Sequence, residues 1–263
     1  MKSLLIQEPW NILKKFKMNS ISPNLNIMIK ASEKASKVLI RDFGELEKLQ
    51  ISIKGPNNFV TNADRKVEEM IIKELEKSKK NFSILTEERG FIKNKDINNF
   101  WIIDPIDGTT NFLNGVPHFC ISIGLLIDNE IIAGVIYDPI KDEMFYAEKN
   151  GGSYLNNKSI RVSKKNRIDD CLYGVNFRKN IPDNLIIRNT GSAALDLAYV
   201  SSGRFDGSIH KNVNLWDVAA GTILIKEAGG VVDNFELEKF NKISIKASNE
   251  RISGDLNKKI NIF

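Results

Sequence analysis

The sequence predicts a mixed α+β fold in which layers of helices and sheets pack on one another. Helical periodicity over residues 24–46, strand-like segments between residues 82 and 155, and intermixed helices and strands after residue 165 together predict it. Because helices and strands do not alternate regularly, a series of parallel βαβ units is not expected. The 263 residues are enough for one large domain or two closely packed ones.

The composition is that of an ordinary globular protein, with 42% hydrophobic and 27% charged residues. The net charge is +5, but the lysines are scattered in pairs, which favours a solvated surface over nucleic-acid binding. Cys120 and Cys171 lie in apolar runs and are predicted to be free core residues in a reducing, cytoplasmic compartment. No apolar run approaches the roughly 20 residues of a membrane span, so no membrane association is predicted.

Residues 1–23 are predicted to form an N-terminal extension ahead of a folded part that covers residues 24–263. Three interpretations of the extension stay open. It is an amphipathic surface helix, a disordered tail, or an untranslated stretch ahead of a start at Met18.

The first elements of the folded part are two helices. Apolar residues recur at helical spacing over residues 24–46, with charges between them. Gly55-Pro56-Asn57-Asn58 predicts a turn. A second helix is expected to start at Thr61, with Thr61 as its N-cap and Asp64 completing a capping-box-like pattern.

Strands follow, each bounded by turn residues. In the first half of the chain they are FSILTEE, FWIIDPID, HFCISIGLLID, IIAGVIYD and DEMFYAEK. Asp128-Asn129-Glu130 joins the third to the fourth as a hairpin. In the second half, CLYGVNF, FDGSIH, VVDNF and ISIKASN predict strands, while SAALDLAYVSSG, LWDVAAGTILIKEAGG and the tail after Asn249 predict helices. A soft boundary between two subdomains is placed near residue 165.

The most informative segment for function is WIIDPIDGTTNF, residues 101–112. Its apolar strand ends in Asp104 and Asp107, which are separated by a proline and followed by Gly108. Proline interrupts a strand ladder, so the chain is expected to turn and to aim both carboxylates at one point. A short helix after Asp107 would offer free N–H groups to a phosphate. The alternative is that Asp107 caps this helix and Asp104 lies in solvent.

Three further acidic positions carry weaker signals. Glu87 ends a buried-type strand and would suit a hard cation such as Mg²⁺ in a carboxylate cluster, although a polar strand end explains it equally. Asp217 opens an otherwise apolar helix, where it would also complement the helix dipole. Asp64 is either a helix-cap residue or a hydrogen-bond partner for a hydroxyl that orients water.

Together and in this order, these segments resemble the inositol monophosphatase family of Mg²⁺-dependent, lithium-sensitive phosphatases, particularly its bacterial members. The resemblance covers about residues 24–250. Its two signature regions are WIIDPIDGTTNF and LWDVAAGTILIKEAGG, and its supporting matches are FVTNADRKVEE, ILTEERG, GVPHFCISIGLL, GVIYDPIKDEMFYAEKNGGSYLNNKSIRVS and TGSAALDLAYVSSGRFDG. The resemblance implies the layered α/β/α/β/α sandwich of the sugar phosphatases, and a homodimer.

The resemblance also implies two Mg²⁺ ions. Glu87, Asp104 and the backbone carbonyl of Ile106 would hold the first. Asp104, Asp107 and Asp217 would hold the second, and a weaker third ion would share Glu87. Phosphoryl transfer of this kind needs positioning and charge neutralisation, without a protein nucleophile.

The catalytic and substrate-binding roles follow from the same resemblance. Thr109, hydrogen-bonded to Asp64, and Glu87 would orient and deprotonate the attacking water. Gly108 and Thr109 would contact the phosphate. The implied substrate-binding positions are Ile106, Asp107, Gly108, Thr109, Arg188, Gly191, Ser192, Ala193, His210 and Asp217.

His210 departs from the family pattern. Many members have a glutamate seven residues before the equivalent of Asp217, and that glutamate binds substrate hydroxyls. A carboxylate accepts several hydrogen bonds, whereas a neutral imidazole accepts one and donates one. His210 therefore either alters substrate choice or is a surface-loop residue that faces nothing.

The expected substrate is a small phosphorylated metabolite, myo-inositol 1-phosphate or a related polyol phosphate. Histidinol phosphate, fructose 1,6-bisphosphate and 3′-phosphoadenosine 5′-phosphate are the alternatives within the same enzyme class. A second hypothesis belongs to another class, because some bacterial members of the family bind the transcription machinery without needing catalysis. RNA polymerase or Nus-type transcription factors would then be the partners.

Overall fold

The computed structural model describes residues 21–45, 56–179, 181–233, 237 and 242–260. Most of the predicted N-terminal extension therefore lies outside the described residues. None of the helices in this part of the chain is both long and apolar enough to cross a membrane.

The first predicted helix is present as α1, Pro23–Gly44. The hydroxyl of Ser22 caps it by accepting a hydrogen bond from the Leu25 N–H at 3.2 Å. Its buried apolar residues are spaced by three or four positions, as the helical periodicity predicts, and they are Leu25, Met28, Ala31, Ala35 and Leu39.

The second helix, α2, spans Pro56–Leu75. The turn predicted at Pro56-Asn57-Asn58 and the helix start predicted at Thr61 are therefore wrong. Proline is favoured in the first turn of a helix, where its missing N–H leaves no intrahelical bond unmade, and Pro56 occupies that turn. Thr61 lies inside the helix and is not its N-cap.

Eight strands form the first sheet, in the order β2-β1-β3-β4-β5-β6-β7-β8. Their bounds are β1 Phe82–Thr86, β2 Gly90–Ile92, β3 Asp96–Asp107, β4 Cys120–Ile127, β5 Glu130–Asp138, β6 Glu143–Glu148, β7 Gly152–Leu155 and β8 Lys158–Ser159. Neighbouring strands are antiparallel except for β1 and β3, which run parallel. The C-terminal ends of β1 and β3 therefore lie at one edge of the sheet.

Five strands form the second sheet, in the order β10-β9-β11-β13-β12. Their bounds are β9 Leu172–Val175, β10 Ile186–Arg188, β11 Gly207–Val213, β12 Gly230–Asp233 and β13 Ile243–Asn249. The remaining helices are α3 Thr109–Leu113, α4 Ala193–Ser201, α5 Leu215–Glu227 and α6 Glu250–Lys259, and a 3-10 turn covers Ile168–Asp170. The first sheet ends before residue 165 and the second begins after it.

Three hydrophobic clusters show how these elements are layered. The first joins α1 and α2 to one face of the first sheet. The second fills the space between the other face of that sheet, helices α4 and α5, and the second sheet. The third lies between the second sheet and α6. The order of layers is α/β/α/β/α, which confirms the predicted fold class.

Two glycines set the distance between α5 and the first sheet. A Cβ built on Gly134 would lie 2.7 Å from the Ala220 carbonyl oxygen and 2.6 Å from a methyl group of Ile223. A Cβ built on Gly124 would lie 3.1 Å from the Cβ of Ala219. The backbone of α5 therefore packs closely against the backbone of strands β4 and β5. This close packing fixes where the N-terminus of α5 lies.

Candidate active site

A β-bulge in β3 brings Asp104 and Asp107 together. Asp104 pairs with Ser122 of β4 and Asp107 pairs with Cys120, so three steps along β3 match two along β4. Side chains three apart on a regular strand point to opposite faces, and one extra residue reverses the second of them. The predicted interruption at the proline is therefore a bulge within a strand that continues to Asp107, where the sequence led us to expect a turn.

The parallel pairing of β1 and β3 places Glu87 beside these aspartates. Glu87 follows directly after β1, and its N–H donates to the Ile103 carbonyl oxygen at 3.3 Å. Burial and the nearby charge of Asp217 raise the pKa of Glu87 to about 7. A hydrogen bond between the Glu87 and Asp104 side chains opposes that rise.

Helix α5 supplies the fourth carboxylate. The N–H of Asn214 donates to Asp217 Oδ2 at 2.7 Å, so Asp217 caps its helix as well as facing the cluster. Asp104, Asp107 and Asp217 each offer a carboxylate oxygen within 4.8 Å of the others. The helix-cap role and the cluster role of Asp217 therefore hold together.

Helix α4 holds Asp107 in place. The Ser192 hydroxyl donates a short hydrogen bond to Asp107 Oδ2, and the Ala194 N–H donates to the same oxygen at 2.9 Å. Ser192 also caps α4, since its hydroxyl accepts from the Leu195 N–H at 3.2 Å. The hydroxyl of Ser192 is thus bonded to Asp107, although the side chain also lines the cavity described below.

The segment after Asp107 forms the predicted short helix. Gly108 precedes α3 with φ of +96°, and a Cβ there would lie 3.0 Å from the His118 carbonyl oxygen. Only glycine fits both conditions. The Thr109 hydroxyl donates to the Ile106 carbonyl oxygen at 2.9 Å. Its single proton is therefore directed to that carbonyl and not to Asp64, where the resemblance had placed the hydrogen bond.

The acidic charges of the cluster outweigh the charge of Lys242, which lowers the pKa of Asp217. Burial is the main cause that raises the pKa of Asp107 to about 6 and that of Asp217 to about 7, and the other acids add to it. The pKa of Asp104 is raised well above its usual range by burial and by Glu87. Asp64 lies behind the cluster, 3% exposed, and burial raises its pKa to about 8. Its Oδ1 has no hydrogen-bond partner among the described residues.

A cavity of about 250 Å³ opens over the cluster. It is lined by many of the predicted site residues, namely Glu87, Asp104, Ile106, Asp107, Gly108, Thr109, Gly191, Ser192, Ala193, His210 and Asp217. Asp64 and Arg188 do not line it, and Arg188 is exposed and donates to the neighbouring Ile187 carbonyl oxygen.

The sequence reasoning missed six residues of the cavity wall: Val175, Asn176, Asn189, Asp196, Val213 and Asn214. Asp196 carried the same signal as Asp217, a lone acid early in an apolar helix. The asparagines and valines carried no signal, because only tertiary packing brings them to the site.

His210 lies on β11 and is only 2% exposed, so the surface-loop interpretation is wrong. Its Nε2 lies 2.7 Å from the Ser208 hydroxyl oxygen and 3.5 Å from Asp196 Oδ2. Burial lowers the pKa of His210 to about 4, so the ring is neutral near pH 7. Nδ1 is buried without a partner among the described residues.

Comparison with known proteins identifies the family of this chain. The model of the inositol monophosphatase family matches residues 21–261. The chain belongs to this family. The inositol-1-monophosphatase of Mesorhizobium japonicum is 41% identical over 253 residues, covering 90% of this chain and 95% of that protein. The Nus factor SuhB of Haemophilus influenzae is 39% identical over 231 residues, covering 82% of this chain and 86% of that protein.

A solved structure extends the comparison to the fold. The extragenic suppressor protein SuhB of Bartonella henselae matches with a TM-score of 0.81 at 39% identity, covering 91% of this chain and 98% of that chain. As a member of the inositol monophosphatase family, this protein is a phosphoric monoester hydrolase. The family assignment accounts for the acidic cluster but leaves the choice of substrate open.

Proposed function

We propose that this protein hydrolyses a small phosphate monoester by in-line attack of water with Mg²⁺ as its metal, and that the substrate is myo-inositol 1-phosphate or a related polyol phosphate. One observation carries the proposal. Asp104 and Asp107 from β3 and Asp217 from α5 converge to within 4.8 Å, on the floor of a cavity that Glu87 also lines. Such convergence of buried like charges is unfavourable unless a cation compensates it.

The residues present fit Mg²⁺. Carboxylate and carbonyl oxygens are the donors that hard cations prefer, and the cluster offers them. The Cys120 Sγ lies 3.8 Å from Asp107 Oδ2, but burial raises the pKa of this thiol, so it stays neutral. Burial and neighbouring carboxylates raise the pKa of each acid, and a bound cation would favour the ionised forms. We assign Glu87, Asp104 and the Ile106 carbonyl to one ion and Asp104, Asp107 and Asp217 to a second, with a weaker third at Glu87.

Bound Mg²⁺ would neutralise the phosphate and stabilise the charge that develops on the attacking and leaving oxygens. Glu87 lines the cavity beside Asp104 and would accept the proton of the attacking water. Thr109 lines the cavity, and its hydroxyl oxygen would orient that water. The P–O bond to the alcohol breaks as the new P–O bond forms, and the alcohol leaves with a proton. No protein nucleophile is required.

The wall of the cavity supports a substrate with one phosphate and an uncharged polar alcohol. No lysine or arginine side chain lines it within the part of the chain that the structure describes. A second phosphate, as in fructose 1,6-bisphosphate or 3′-phosphoadenosine 5′-phosphate, would therefore meet no cation there. Asn176, Asn189 and His210 offer neutral hydrogen-bonding groups, which suit hydroxyls.

We place the phosphate beside Gly108 and Thr109 and the alcohol toward Gly191, Ala193 and His210. Each of these residues lines the cavity. Arg188 and Ser192 remain proposed contacts by resemblance. The alternative for Arg188 is a place at the rim, which its exposure supports.

Phosphate release from a panel of monoesters, with Mg²⁺ and with EDTA, tests this proposal. The panel contains myo-inositol 1-phosphate, histidinol phosphate, fructose 1,6-bisphosphate and 3′-phosphoadenosine 5′-phosphate. We expect Mg²⁺-dependent release that is fastest with the polyol phosphate. Equal or faster release from a bisphosphate would contradict the substrate class, and folded protein that releases nothing with Mg²⁺ would contradict the activity.

A second function is favoured by the relatives named Nus factor SuhB. We infer that binding to RNA polymerase or to Nus-type factors coexists with catalysis. A pull-down with the Asp107→Asn variant separates the two functions, because that variant keeps the surface and loses the metal. Recovery of these partners at native expression levels supports the binding role, and their absence contradicts it.

By resemblance to the family we also infer a homodimer, which light scattering tests directly. A monomeric mass at micromolar concentration would contradict the dimer.

We also infer a cytoplasmic location, which the free, buried thiols of Cys120 and Cys171 support.

A further inference from the structure

We propose that Glu68 is a positioning residue that fixes the chain on both sides of Glu87, and that metal affinity depends on it. The inference rests on the proposed function, since Glu87 is a metal ligand there. Glu68 does not line the cavity and takes no part in the mechanism above. It acts through the residues that flank Glu87.

One carboxylate oxygen of Glu68 accepts hydrogen bonds from the residues on both sides of Glu87. The Thr86 hydroxyl donates a short hydrogen bond to Glu68 Oε2, and the Glu88 N–H donates to the same oxygen at 3.2 Å. Thr86 is the residue before Glu87 and Glu88 is the residue after it. The side chain of Glu68 is fully buried, and so is Thr86. These bonds are therefore shielded from exchange with water.

The backbone at Glu87 is otherwise weakly held. Strand β1 ends at Thr86, and the Glu87 N–H makes one bond, at 3.3 Å, to the Ile103 carbonyl oxygen. Beyond that point the chain leaves the sheet and turns into β2. Glu68 takes over where the ladder stops, because it accepts the next N–H along the chain.

A carboxylate suits this place better than an amide. Arg89 Nε lies 2.9 Å from Glu68 Oε1, an ion pair that is not aligned as a hydrogen bond. Burial raises the pKa of Glu68, and the two donated hydrogen bonds and the charge of Arg89 offset part of that rise. A glutamine oxygen could still accept from Thr86 and Glu88, but its NH₂ group would then face the Arg89 guanidinium, so one of the three donors would lose its acceptor.

Helix α2 thus serves the site with two residues one turn apart. Asp64 and Glu68 are four positions apart and lie on one face of the helix. Asp64 lies behind the acidic cluster, whereas Glu68 holds the segment that carries Glu87. Groups that orient a metal ligand without touching the metal change its affinity by about 10- to 100-fold when they are removed.

The experiment compares four variants by Mg²⁺ titration calorimetry and by the Mg²⁺ dependence of tryptophan fluorescence. Glu68→Gln and Thr86→Val each disturb the clamp, the group of contacts that Glu68 makes with Thr86, Glu88 and Arg89. Thr86→Ser keeps the hydroxyl. Glu227→Gln is the matched control, because Glu227 also accepts two backbone N–H bonds, from Asn150 and Gly152, in a turn away from the site.

We expect Glu68→Gln and Thr86→Val to raise the Kd for Mg²⁺ by about tenfold or more. Thr86→Ser should stay within about twofold of the wild type, and Glu227→Gln should lower the melting temperature without changing the Kd. Thr86→Val keeps the shape of the buried side chain, so it reports on the clamp if Glu68→Gln fails to fold.

Wild-type Kd values in both Glu68→Gln and Thr86→Val would overturn the inference. An equal change of Kd in Glu227→Gln would overturn it too, because it would show a general effect of stability. Failure of the proposed function looks different: the wild type itself would then bind no Mg²⁺.

Discussion

The buried carboxylate of Asp104 lies among those of Glu87, Asp107 and Asp217, and its burial weakens the screening of their charges by water. In the absence of metal, such a group is most stable when it holds protons, which is why each pKa is raised. The cluster therefore opposes folding at neutral and basic pH and favours any cation that replaces the protons. Two consequences follow for single-residue variants and for pH.

Asp107→Asn should reduce turnover at least about 100-fold, since the charge stabilisation that a metal gives amounts to several kcal/mol. Stability in EDTA should be unchanged or higher, because one repelling charge is gone while an amide oxygen still accepts from Ala194 and Ser192. Phosphate release and thermal melting measure the two effects.

The matched control is Asp206→Asn. Asp206 is as buried, but it pairs with Lys165 at 2.9 Å and accepts the Leu172 N–H. The same substitution there should lower the melting temperature and leave turnover near that of the wild type. Near-normal activity in Asp107→Asn would contradict the metal assignment.

Metal-free protein should lose stability as the pH rises from 7 to 9. The pKa values of Glu87 and Asp217 are about 7, and that of Asp64 is about 8. In the unfolded chain these groups are already ionised above about pH 5. Unfolding in this window therefore releases protons, and the stability is lost as the pH passes the folded-state pKa values. His210 has the opposite sign, but only below about pH 6.5.

Melting curves in EDTA and in excess Mg²⁺ check the pH dependence. Mg²⁺ should remove most of the decline, because the carboxylates are then ionised in the folded state as well. Asp64→Asn should make the metal-free decline shallower. A metal-free melting temperature that rises from pH 7 to 9 would contradict the charge state inferred for the cluster.

At this scale the sequence predicts residue types better than contacts. Asp104 and Asp107 were recognisable as candidate ligands because Pro105 lies between them and Gly108 follows them, and their carboxylates do converge. The Thr109–Asp64 hydrogen bond that the resemblance implies is not formed, since the Thr109 hydroxyl donates to the Ile106 carbonyl oxygen, only three residues away. Glu68 looked like one charged residue of an amphipathic helix, and only the packing of α2 against β1 and β3 shows its partners.

At the scale of elements, the glycine contacts with α5 matter most. Helix α5 carries Asp217 at its first turn, so its height above the first sheet decides whether that carboxylate meets Asp104. The long strands and helices were predictable, because their apolar periodicity persists over many residues. Strands β2 and β10 have three residues each, too few for a period to show. The predicted start of α2 was wrong because the sequence Gly-Pro-Asn-Asn is typical both of a turn and of a helix N-terminus.

Gly134→Ala should destabilise the protein by roughly 1–3 kcal/mol, because the added methyl overlaps the backbone of α5 at Ala220. Gly254→Ala is the matched control. Gly254 lies in the exposed part of α6 with nothing within 4 Å of a built Cβ, so alanine there should stabilise by about 0.5–1 kcal/mol. Denaturant unfolding measures both.

The displaced helix should also weaken metal binding in Gly134→Ala, because Asp217 moves with it. A Gly134→Ala variant with normal stability would show that α5 does not rest on the sheet as closely as described. Equal signs for the two substitutions would show that the effect comes from helix or strand propensity instead of contact.

At the scale of the whole molecule, the acidic cluster lies where the layers meet. Glu87, Asp104 and Asp107 come from the edge of the first sheet, whereas Asp217 comes from the helical layer that joins the two sheets. The layer order was predictable from the family resemblance, since the same signature segments recur in the same order. His210 was predicted at the cavity by the same resemblance, but Asn176 and Asn189 were not, because only tertiary packing brings them to its wall.

Mg²⁺ binding should therefore protect two distant segments at once. Hydrogen exchange should slow both at residues 86–89, after β1, and at residues 214–218, at the start of α5, because one set of ions bridges them. The melting temperature should rise in a single transition, with about 2.7 kcal/mol of added stability at a hundredfold excess over Kd. Asp107→Asn should lose both effects, because Asp107 lies between the two segments and its carboxylate belongs to the metal site that bridges them. Protection confined to residues 86–89 in the wild type would mean that Asp217 does not belong to the metal site. Protection of both segments in Asp107→Asn would mean that the ion is held without the residue at the centre of the cluster.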